Sequence, residues 1–175
     1  MKAWVFVLIL AVAGCTGTTG CGKSMGQEEP SHISTEQRMF ADFGWRAMGK
    51  PIAVGDVLPA DFKLRPGQFP WPVYLDLSKD AGLDFTHLAG AKVTMLRFKI
   101  EDAQGDRLKE IRQRYVLWGV ALLDSEQKMV GAWLTYTDKQ GNFQPGIPGF
   151  SLRGKTLNQV TGLTWPEYAE KRSGD

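Results

Sequence analysis

The chain has 175 residues, 43% of them apolar and 23% charged, which is ordinary for a single globular domain with short additions. Its formal charge of +2 gives no chain-wide electrostatic drive towards nucleic acid or an anionic bilayer. Both cysteines, Cys15 and Cys21, lie near the start, so no disulfide and no thiolate metal site can form beyond them.

Met1-Lys2 is a short positive start, and Ala3 to Ala13 then runs without a charge. Eleven apolar residues suit the hydrophobic stretch of a signal peptide. A membrane-spanning helix needs about 20. The run ends in Val12-Ala13-Gly14-Cys15. This resembles the lipobox of bacterial lipoproteins: an aliphatic residue, two small residues that enter a peptidase cleft, then the cysteine. The resemblance implies a signal peptide over 1–14, cleavage between Gly14 and Cys15, and a diacylglyceryl group on the Cys15 thiol. Thr16 is not aspartate, so the inner-membrane retention signal of Gram-negative lipoproteins is absent. Two or more acyl chains hold a protein on a bilayer durably, whereas one binds marginally.

Gly17-Thr18-Thr19-Gly20-Cys21-Gly22-Lys23-Ser24 matches the phosphate-binding pattern G-x-x-x-x-G-K-[ST]. That pattern works only between a strand and a helix whose N-terminus faces the phosphates. Here Gly26 and Pro30 break any such helix, and no alternating strand–helix series follows. No nucleotide is expected. Thr16 to Gln37 is polar and lacks apolar periodicity, so residues 15–37 read as a lipidated flexible tether. Its twenty or so residues of coil reach about 25 Å.

The single domain is expected over 38–175. Met39, Phe40, Phe43 and Trp45 suggest a short helical or irregular anchor, and the Gly- and Pro-rich stretch to Pro72 reads as extended and irregular. Val73, Tyr74, Leu77 and Ala81 form a helical stripe, predicting a helix over 71–81 that stops at Gly82. Strands are expected over 91–100, 112–123 and 128–137. The last two form an antiparallel hairpin around Asp124 to Gln127. Residues 143–152 carry Pro145 and Pro148 and form at best an edge strand. Thr164-Trp165-Pro166-Glu167 has the form of a capping box, opening a helix to about Lys171. The fold class is therefore α+β, a small antiparallel sheet with a few short helices packed on it.

Asp84 and His87 are the one pairing with a catalytic look, and they read more simply as a turn that Asp84 caps. Glu101 to Glu110 interleaves acids with Lys and Arg and reads as a solvated loop, a poor fit to a calcium loop. No paired-histidine or G-x-S-x-G spacing occurs, so neither metal nor cofactor is expected. The aromatics are the stronger lead. Trp118 and Trp133, on strands, are expected in the core. Phe69, Trp71, Phe143 and Phe150, on irregular segments, are the candidate exposed binding patch.

From Gly82-Leu83-Asp84-Phe85 through Val130-Gly131-Ala132-Trp133 to Leu163-Thr164-Trp165, the chain is also similar to small lipoproteins of Gram-positive bacteria. The resemblance implies no activity. The expected protein is a lipoprotein anchored in the cell membrane, with a non-catalytic binding domain facing outside the cytoplasm. Its partner would be an envelope protein or cell-wall component. A subunit or assembly factor of an envelope complex is the alternative, and an envelope hydrolase using Asp84 and His87 is a third reading.

Overall fold

Ser34 and Gln37 start the folded region. In the computed structural model, which describes residues 33–142 and 149–174, the Gln37 amide donates to Ser34 Oγ and the Ser34 amide to Gln37 Oε1. This reciprocal cap opens helix α1, Thr35–Asp42, inside the stretch read as tether. The signal peptide, Cys15 and Phe143 lie outside the described residues.

Four strands follow in an antiparallel meander: β1, Trp45–Val57; β2, Lys92–Asp102; β3, Val116–Leu123; β4, Met129–Thr137. Sheet order equals chain order, and the β3–β4 hairpin is the one expected. Asp124 Oδ1 accepts the amides of Glu126 and Lys128 and so closes its turn. Strand β1 replaces the expected irregular stretch. Its register shifts between Met48 and Ile52, so the Gly49-Lys50-Pro51 interruption bulges out and pairing with β2 resumes beyond it.

The helices α2, Trp71–Lys79; α3, Lys109–Arg114; α4, Leu157–Thr161; and α5, Trp165–Ser173 complete the described elements. A short 3-10 turn covers Thr86–Leu88; its N-cap position is Phe85 rather than Asp84, whose Oδ1 accepts the Thr86 amide at 2.8 Å from one residue further back. Helix α3 occupies the first residues expected for β3. The α5 helix opens as expected, with the Thr164 amide donating to Glu167 Oε2 at 2.7 Å.

Two apolar clusters lie on opposite faces of the sheet. On one, Phe40 of α1 packs edge-on against Phe98 and sits over Gly119, where a Cβ would come within 2.6 Å of the phenyl ring. On the other, Trp71, Phe62, Phe85 and Leu157 pack over Val120, Leu122 and Trp133. Asp102 corrects the solvated-loop reading of residues 101–110. Its side chain is 0% exposed and accepts the amides of Gln104 and Arg107 and the Arg107 guanidinium. Arg107 in turn donates to the carbonyls of Phe43 and Gly44 and lies 3.9 Å over the Trp45 ring. Gly44, at φ 77°, leaves room for that guanidinium.

Candidate binding surface

The expected aromatic patch is not one surface. Phe69 is 43% exposed and meets Trp165 edge-on at 6.2 Å. Trp71 is only 9% exposed, because it is the first residue of α2 and its indole points into a cluster with Tyr74, Phe85 and Trp133. Phe150 is likewise 9% exposed. Its backbone exchanges two 2.8 Å hydrogen bonds with Leu134, which draws its ring into the core. Both are corrections: proline-rich sequence says that a segment is irregular, not that its aromatics face water.

The catalytic pairing does not assemble among the described residues. Asp84 directs Oδ1 to the amide and hydroxyl of Thr86 and lies 3.6 Å from Lys79 Nζ; His87 is exposed and joined to it by no hydrogen bond. Described Asp, Glu, His and Cys side chains nowhere gather in threes that could hold a metal.

A cleft of about 410 Å³ opens between α2, α4 and α5 beside Asp76, Lys79, Tyr168, Lys171 and Arg172. Its chemistry is already internally satisfied. Asp76 Oδ2 accepts from Tyr168 Oη at 2.9 Å and from Arg172 Nε at 3.2 Å, and Oδ1 accepts from the same guanidinium. Burial and the neighbouring Asp76 charge push the Tyr168 phenol upward, so it stays protonated at neutral pH. Tyr74, stacked 4.3 Å from Trp133, is pushed up to about 12, chiefly by burial. Neither phenol is a base near pH 7. The Asp76 group is a clasp joining α2 to α5.

The open surface lies elsewhere. Directly paired residues share a sheet face, so Met48 stands beside Lys99 and Lys99 beside Trp118, while Ile52 stands beside Arg97. Farther along this face, Trp133 and Val120 are covered by Trp71 and Phe85. Met48, Ile52 and Trp118 belong to neither core cluster. Met48 is 38% and Ile52 49% exposed, and Trp118 is half-buried, its indole N–H donating to Thr137 Oγ1 at 3.0 Å. The expectation that Trp118 is core is thereby corrected, while Trp133 is core as expected. Arg46 flanks the patch, ion-paired to Glu101 across the strands.

The strand edges are closed by different devices. On β4, Ser78 Oγ bonds both the amide and the carbonyl of Ala132 at 3.2 Å, and Phe150 pairs with Leu134. On β1, Pro51 has no amide hydrogen, the bulge interrupts the ladder, and Asp56 Oδ1 accepts the Val57 amide at 2.7 Å. The β4 edge is thereby occupied and the β1 edge interrupted, while the face around Met48, Ile52 and Trp118 stays uncovered.

Residues 39–134 match the model of a family described as Domain of unknown function (DUF4830). The open face lies wholly within that span; Tyr168 and Arg172 of the clasp lie beyond it. No curated protein and no solved structure matches the chain.

Proposed function

Because the chain belongs to the family described as Domain of unknown function (DUF4830), whose description assigns no activity, we propose its role from its own residues: a membrane-anchored lipoprotein with a non-catalytic binding domain outside the cytoplasm. The observation that carries the binding reading is the open half-face of Met48, Ile52 and Trp118 set among Arg46, Arg97 and Lys99. Apolar side chains interleaved with cations, on a rigid sheet that leaves them uncovered, form a surface for recognition. The address rests on Val12-Ala13-Gly14-Cys15 after an uncharged apolar run. No described helix is long and apolar enough to cross a membrane, so in this reading the acyl chains supply the attachment.

Fractionation of cells carrying the natural chain and Cys15→Ser tests the address. The natural chain is expected in the membrane fraction after high-salt washing, and Cys15→Ser is expected unprocessed and unacylated. A processed, membrane-held Cys15→Ser product contradicts the reading. A hydrolase is disfavoured by the engagement of Asp84 with Thr86, and His87→Ala is expected to leave every phenotype intact.

A further inference from the structure

We propose that the open half-face of the sheet is a docking surface for anionic phospholipid headgroups, so that the domain lies face-down on the bilayer that anchors it. The inference deepens the proposed lipoprotein role and rests on it for the orientation.

Near-neutral net charge conceals a local imbalance. The face carries Arg46, Arg97 and Lys99, with Lys50 on the adjoining bulge. Two carboxylates share it: Glu101 is ion-paired to Arg46, and Asp56 keeps its charge while accepting the Val57 amide, so four cations face two carboxylates. Lys99 has no ion-pair partner among the described residues and stands between Met48 and Trp118 on neighbouring strands. Cations among Met, Ile and Trp match a headgroup boundary, where ammonium and guanidinium groups meet phosphates and the apolar side chains enter the acyl edge. A soluble acidic strand would instead pair along a sheet edge; the β4 edge is occupied, and the β1 edge is interrupted by its bulge and Pro51. Each Lys or Arg near an anionic surface contributes about 1 kcal/mol, roughly a fivefold change in partition. Weak intrinsic affinity suffices, because a short tether keeps the bilayer at high effective concentration.

Every described element and both cores lie within Ile33–Asp175, so this region can be tested as a folded unit. Because α1 opens at Thr35 and packs on the other face, the coupling keeps the tether: a chain beginning at Cys15 with Cys21→Ser carries one thiol and couples to maleimide lipid without acylation. The vesicles are phosphatidylcholine alone, or phosphatidylcholine mixed with phosphatidylglycerol; brominated lipid quenches any tryptophan that reaches the interface. Quenching is expected on phosphatidylglycerol vesicles only. It should weaken with salt, fall about fivefold or more in Lys99→Glu, and vanish in Trp118→Phe. Lys128→Glu, with the same charge change in the β3–β4 turn, should leave it intact. Equal quenching on both lipids, none on either, or persistence in Trp118→Phe overturns the proposal. So does loss of quenching to free polyglutamate at low occupancy, which would assign the face to an acidic protein segment. Because chemical coupling replaces acylation in this assay, failure here leaves the acylation reading standing, and failure of acylation leaves this result standing.

Discussion

Asp102 shows how one side chain can set the position of a whole turn. Burial alone would raise its carboxyl, but the amides of Gln104 and Arg107 and the Arg107 guanidinium outweigh burial, and the net shift is downward. A carboxyl depressed in the folded state contributes fully above its unfolded value, about 4, and the contribution is lost as pH falls through the folded value. Replacing it by Asn removes charge and one acceptor from a buried site. Asp102→Asn is therefore expected to cost about 2 kcal/mol at pH 7, with the gap to the natural protein closing progressively below about pH 4. Urea unfolding at both ends of that range measures it, and a gap independent of pH contradicts the assignment. The sequence conceals this residue because Glu101 to Glu110 has the composition of a solvated loop. Only the approach of Arg107 to Gly44 reveals the Asp102–Arg107 pair.

At the scale of elements, strand legibility depended on burial. β3 is apolar throughout and β4 is apolar from Met129 to Leu134, so both read as strands from their runs, and β2 from its alternation. Strand β1 has neither signal, because beyond Ala47 nearly all of it is exposed and its bulge holds Gly49 and Pro51. Helix α1 and helix α4 did carry a signal: Ser34 with Gln37, and Thr156 with Gln159, are capping boxes at the expected spacing. The helical register of Val73, Tyr74 and Leu77 was sound, yet it did not show that Ser78, on the next position, satisfies the β4 edge. Ser78→Ala leaves the Ala132 amide and carbonyl without that hydroxyl in a buried place. The expected cost is about 1–2 kcal/mol, with faster hydrogen exchange at the Ala132 amide. An unchanged exchange rate there would show that the edge is closed by something else.

For the molecule as a whole, the α+β architecture is legible because the β3–β4 hairpin closes over a short turn and each strand pairs with its chain neighbour, even across the long connection that carries α2. The candidate binding surface is not, because it is made by cross-strand juxtaposition: Met48, Lys99 and Trp118 are far apart in sequence and adjacent only in register. The proposed anchor belongs to the opposite case, resting on the contiguous residues Val12-Ala13-Gly14-Cys15, which need no fold to be read. The most direct measurement of the account is therefore the intact mass and N-terminal peptide of the protein extracted from its native membrane. The expected product begins at Cys15 and carries a diacylglyceryl group; a chain beginning at Met1 with an unmodified Cys15 thiol would overturn the proposed anchoring.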